Sequence, residues 1–136
     1  MGRGYGNYAH TEGAKKRLVP DDLMEELENS GNKFTKSDVL MITRNYDGKL
    51  MWLEKGNERA GLKHIELRHS KDFLPNQNIL ILLREVLQLK PILHEKRHEK
   101  NGDELSDVYL YEKDGFTYKV AYGSNGFIVT FYPFTQ

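Results

Sequence analysis

The stretch VYLYEKDGFTYKVAYGSNGFIVTFY, residues 108–132, decides the architecture. It holds three runs dense in aromatic and β-branched residues, 108–113, 116–122 and 127–132, joined by Asp114-Gly115 and Ser124-Asn125-Gly126. Such side chains suit a pleated, half-buried surface, and short glycine-bearing joints turn a chain back on itself. The stretch reads as an antiparallel meander. Upstream, 92–98 is a further strand before Asn101-Gly102, and Pro91 stops a helix over 78–89. Pro75-Asn76 ends another helix, expected over 58–73 and opened by Gly56-Asn57. Runs 39–44 and 49–54 flank Asn45-Tyr46-Asp47-Gly48, a hairpin signal. Pro20-Asp21-Asp22 opens a short helix over 23–29, with acids in the first turn where the helix dipole favours them. The expected class is α+β, helices first and an antiparallel sheet last. Residues 1–38 are expected to be an extension or linker with one short helix, and 39–136 the functional domain.

Composition narrows the function. A chain of 136 residues holds one domain of ordinary size. Lys and Arg total 20, as do Asp and Glu, so the net charge is zero and a histone-like polybasic protein is excluded. A neutral whole still accommodates a local basic cleft, and 62–100 carry an excess of Lys and Arg over acids. With no cysteine, disulfide scaffolds, zinc ribbons and thiol catalysis drop out. The longest apolar run is 79–83, far short of the roughly 20 residues that cross a bilayer, so no membrane partner is expected. Residues 1–10 are rich in Gly and Tyr and lack the apolar stretch of a signal peptide.

Two clusters carry chemistry. His94-Glu95-Lys96-Arg97-His98 is an HExxH string, which on a helix puts both imidazoles on one face for zinc, with the glutamate as general base. Pro91 before it and Asn101-Gly102 after it favour a polar strand instead, where the two histidines sit about 13 Å apart, too far to share a metal. The other cluster is GLKHIELRHSKDF, residues 61–73. At 100° per residue Leu62, Ile65, His69 and Phe73 fall within about 80° and form an apolar stripe, whereas His64 and His69 lie about 140° apart. Two histidines and Arg68 supply a base, an acid and a cation for phosphodiester transfer. In the last strand Phe127, Val129 and Phe131 are expected on one side, and Ile128, Thr130 and Tyr132 on the other. The hydroxyls of Thr130 and Tyr132 then share a face from which they can bind phosphate oxygens.

The order of a β-hairpin, the segment Gly61-Leu62-Lys63-His64-Ile65…Arg68-His69…Asp72-Phe73, and a sheet with Tyr118-Lys119-Val120 and Gly126-Phe127-Ile128-Val129-Thr130-Phe131-Tyr132-Pro133 resembles the barnase–EndoU–colicin–RelE-like nucleases. The closest match is to their phage-associated and polymorphic-toxin branch, over about residues 49–133. The resemblance implies N-terminal helices packed on a four- to five-stranded antiparallel sheet. It implies a metal-independent endoribonuclease without cofactors, cutting RNA and often tRNA by 2′-hydroxyl attack, which leaves a 2′,3′-cyclic phosphate. It further implies a C-terminal warhead of a larger secreted or cell-surface effector. Such a warhead acts in the target-cell cytoplasm and is neutralised by a cognate immunity protein. Matched position by position, His64 and His69 correspond to the helix histidines and Arg68 to the basic residue between them. Lys119 corresponds to a base on the penultimate strand, and Thr130 and Tyr132 to closing-strand hydroxyls. His69 is the first choice for the site-facing histidine. Two other readings compete: a non-catalytic RNA- or protein-binding module of the same fold, with Tyr109, Tyr111, Tyr118, Tyr122 and Tyr132 as stacking surface or core, and a zinc hydrolase on His94 and His98.

Overall fold

The computed structural model describes residues 17–75, 77–101 and 104–134, those at 95–101 and 104–105 by their backbone alone. The chain runs α1 (Asp21–Asn29), β1 (Val39–Arg44), β2 (Leu50–Glu54), α2 (Leu62–His69), α3 (Ile79–Leu87), β3 (Leu93–Asn101), β4 (Glu104–Lys113), β5 (Phe116–Gly123) and β6 (Ile128–Pro133). The class is α+β. Strands β3, β4, β5 and β6 form an antiparallel meander in that order, and β1 and β2 form a separate hairpin. No helix among the described residues is long and apolar enough to cross a membrane.

Helix α3 is apolar almost all round and is accordingly buried. Ile79, Leu80, Leu82, Leu83, Val86 and Leu87 are all inside, and Asn78 caps the helix by accepting from the Ile81 backbone N–H at 3.2 Å. They pack on Tyr111, Tyr118, Val120 and Phe131 of the sheet, with Met41, Leu53, Ile65 and Phe73 filling the sides. A smaller cluster joins Leu27 of α1 to Val39, Ile42 and Trp52 of the hairpin.

Cross-strand register gives the meander a second face. Lys119 lies opposite both Leu110 and Tyr132, Ala121 lies opposite both Val108 and Thr130, and Ser106 lies opposite Gly123. Because side chains alternate along a strand, these residues share the face away from Tyr111, Tyr118 and Val120. We call it the outer face. The backbones of hairpin and meander pair where Trp52 lies beside Phe127 and the Trp52 backbone N–H donates to the Gly126 carbonyl at 3.1 Å. Gly126 has φ +98°, and a Cβ there would stand 2.1 Å from the Leu50 carbonyl oxygen, so only glycine fits.

Two expectations change. The helix expected over 58–73 is only Leu62–His69, because Gly61 at φ +92° blocks its start and the backbone leaves helical geometry at His69 (φ −130°, ψ 6°), passing into a 3₁₀ turn at Ser70–Asp72. A Cβ on Gly61 would lie 2.8 Å from both the Glu54 carbonyl oxygen and the Gly56 Cα, so the 56–61 loop is pinched shut at its ends. The expected alternation of the last strand slips at a bulge: Tyr122 pairs with Ile128 but Ala121 with Thr130, which puts Ile128 and Phe131 together in the core. Thr130 and Tyr132 keep a common face. The HExxH string lies in a strand, as its flanks lead one to expect: it is part of β3, with His94 opposite Tyr109 and His98 opposite Ser106, so the helix that motif needs to bind zinc is not formed.

Candidate functional site

Helix α2 runs beside the free edge of β6. The Gly61 N–H donates to the Val129 carbonyl at 2.9 Å, and Ile65, fully buried, anchors the helix in the core. The two imidazoles approach each other although His64 lies in the first turn of this helix and His69 at its end. His64 and His69 have ring centroids 5.9 Å apart in an edge-to-face arrangement, despite their angular separation on an ideal helix. The cause is the break at His69, whose altered backbone swings its ring out of the helical series. His69 then lies flat on Tyr132, with centroids 3.8 Å apart and planes 10° apart.

Both rings are held by the same nitrogen. His64 Nδ1 is 2.8 Å from the Glu58 carbonyl oxygen. A carbonyl only accepts, so Nδ1 carries the hydrogen of the neutral ring and Nε2 the lone pair. His69 Nδ1 is 2.9 Å from Asp72 Oδ2 across the 3₁₀ turn, and the carboxylate accepts in the same way. The contact on each Nδ1 sets tautomer and orientation and leaves Nε2 for chemistry. Asp72 is the residue that sequence reasoning missed; the signal was there in its spacing, three residues after His69.

Beside Tyr132 on the outer face stands Lys119. It is only 8% exposed, and it forms no hydrogen bond or ion pair among the described residues. Its Nζ lies 4.2 Å from the Phe134 ring centroid and 5.8 Å from that of Tyr132. Buried ammonium groups are ordinarily paired with an anion, and aromatic faces replace only part of the lost solvation. One step along the sheet, Thr130 Oγ1 is buried without a hydrogen-bond partner. A cation without its anion and a hydroxyl without its partner are thus near neighbours. Tyr132 is half-buried between them and the histidines.

The chain matches no known protein family and no curated protein sequence. What the site can do therefore rests on its own groups. Of the six residues singled out, the structure brings His64, His69, Tyr132 and Lys119 into one contiguous cluster, and places Thr130 on the same sheet face as Lys119 and Tyr132. Arg68 is exposed on α2 and forms no hydrogen bond or ion pair among the described residues. His94, of the alternative site, stacks on Tyr109 with centroids 4.2 Å apart, and among the described residues no three His, Cys, Asp or Glu gather closely enough to hold a metal.

Proposed function

We propose that the chain is a metal-independent endoribonuclease that cleaves by internal attack of the 2′-hydroxyl. The observation that carries this reading is the pair of histidines, each with Nδ1 engaged and Nε2 available, beside a buried lysine whose ammonium has no counter-ion among the described residues. Transesterification of RNA needs three things: a base for the 2′-hydroxyl, an acid for the departing 5′-oxygen, and positive charge for the five-coordinate phosphate. In our assignment His69 Nε2 takes the 2′-hydroxyl proton as the 2′-oxygen bonds to phosphorus. The phosphorus–5′-oxygen bond breaks, and the protonated His64 gives its Nε2 hydrogen to the leaving oxygen. Lys119 neutralises the non-bridging oxygens, the Thr130 hydroxyl donates to one of them, and Arg68 adds long-range attraction. Tyr132 holds the plane of His69 by stacking.

The resemblance to barnase–EndoU–colicin–RelE-like nucleases supports the same reading, through the segment that places His64, Arg68 and His69 and the strand that places Thr130 and Tyr132. It further suggests tRNA among the targets, a role as the warhead of a secreted effector acting in the target-cell cytoplasm, and a cognate immunity protein as partner.

The test is incubation with total RNA in EDTA. Discrete fragments ending in 2′,3′-cyclic phosphate and beginning with a 5′-hydroxyl are expected, and they should vanish in His69→Ala. RNA that is retarded on a gel but stays whole would instead favour the binding-module reading.

A further inference from the structure

The outer face that carries Lys119 and Thr130 continues past them into a cavity. It has a volume of about 350 Å³, within the range of small-molecule sites, and lies between the 56–61 loop and the Ser106–Gly123 end of the sheet. Register puts Ser106 and Gly123 two residues beyond Val108 and Ala121, so the cavity begins about 7 Å along the sheet from the row that contains Thr130. Its wall is also tied to the histidines. Asn57 and Arg59 line it, and the residue between them, Glu58, holds His64 through its carbonyl.

The lining has a defined chemistry. Asp38 is half-buried and its carboxylate forms no hydrogen bond or ion pair among the described residues. Glu54 gives one oxygen to the Trp52 indole N–H at 2.9 Å and keeps the other. Asn57 spends its carbonyl oxygen on the Arg59 backbone N–H at 2.8 Å, which leaves its NH₂ as a donor. Ser106 is 7% exposed and its hydroxyl has no hydrogen-bond partner among the described residues. Phe127 presents a ring fixed edge-to-face against Trp52, centroids 5.7 Å apart. The cavity therefore offers a flat apolar wall, acceptors on carboxylates, a donor on an amide and, at Arg59, a cation on the same wall. A planar heterocycle with an amino edge satisfies all of them.

Resting on the ribonuclease reading, we infer that this cavity binds the base of a nucleotide next to the cleaved phosphate, and that it selects bases with an exocyclic amino group. Adenine, cytosine and guanine each offer an N–H₂ to Asp38 or Glu54, and each offers ring or carbonyl acceptors to Asn57. Uracil has a single N–H between two carbonyl oxygens, so it gives Asp38 and Glu54 one donor where an amino-bearing base gives them an N–H₂. Base choice and bond breaking then belong to different residues on one face, joined by the Glu58 carbonyl.

Trp52 is the chain's single tryptophan and sits behind both Glu54 and Phe127, so its fluorescence reports on the cavity without any turnover. Titration with AMP, CMP and UMP should show AMP and CMP binding about tenfold tighter than UMP, with the difference lost in Asp38→Asn. Cleavage of poly(A), poly(C) and poly(U) should follow the same order, and Asp38→Asn should bring the three rates together. Equal binding of the three nucleotides, or a preference that survives Asp38→Asn, overturns the base site even if RNA is cut. Selective binding without any cleavage leaves the base site standing and overturns the ribonuclease reading instead.

Discussion

Two histidine–tyrosine stacks flank the meander, and their difference shows what makes one of them a candidate site. His69 lies on Tyr132 at 3.8 Å, and His94 lies on Tyr109 at 4.2 Å, with Tyr122 stacked behind at 4.7 Å. Each imidazole has an aspartate nearby. His69 Nδ1 is 2.9 Å from Asp72, whereas it is His94 Nε2 that faces Asp107, at 3.5 Å. The first stack has a second imidazole 5.9 Å away and a buried lysine beside its tyrosine. The second backs onto buried phenols, and its histidine is twice as exposed, 40% against 21%. Stacking alone is packing. A second proton carrier and an uncompensated cation turn it into a place where an anion can react.

That contrast can be broken by mutation. His69→Ala should lower RNA cleavage by about 10²–10⁴-fold, the usual loss for a general base, with the fold retained by circular dichroism. Lys119→Ala should cost about 10²–10³-fold through lost stabilisation of the developing phosphate charge. It should also raise thermal stability or leave it level, because a buried charge disappears with it. A Lys119→Ala variant that is fully active and less stable would assign the lysine to packing. Asp72→Ala frees the His69 ring to change tautomer, and about a 10–100-fold loss of rate is expected with little change in melting temperature.

The second stack should show itself in stability rather than in rate. Burial raises the pKa values of Tyr111 and Tyr122 above the ordinary phenol value, with neighbouring tyrosines adding to it. Below about pH 10 both phenols are neutral whether the chain is folded or not. Above it the unfolded chain releases these protons first, so the folded state binds more of them and stability falls as pH rises. Denaturation midpoints should therefore drop from about pH 10 upward, and less steeply in Tyr122→Phe. The smallest effect is expected for His94→Ala, whose cleavage rate should stay within about twofold of the parent. A large loss there would return attention to the HExxH string.

Strands were the most legible part of the sequence, because each is dense in β-formers and each joint carries glycine. The meander appears with boundaries shifted by a few residues at most within the described segments. Helix α2 was legible in its apolar stripe but not in its ends. Periodicity extended it through Gly61 and past His69, since a 100° rule has no term for a positive φ or a helix that unwinds. The same rule kept His64 and His69 apart, when the unwinding is what brings them within reach. The bulge in β6 was hidden for a related reason: alternation is a property of regular pairing, and one extra residue cancels it. Asp72 was legible in its spacing three residues after His69, whereas the Glu58 carbonyl and the Phe134 ring become visible only when the chain is folded. The cavity at Asp38, Asn57 and Ser106 draws on three segments far apart in the chain and left no local signature.

Strand β6 ends the meander, yet its outward backbone groups are not idle. Gly61 takes the Val129 carbonyl, and the hairpin closes on Gly126 and Phe127. At its start this border is covered by the 56–61 loop and the hairpin, which narrows the edge open to a foreign strand on the side where the histidines lie. Strand addition at the Val129 end of this border would first require peeling the 56–61 loop away, and with it the Glu58 carbonyl that orients His64.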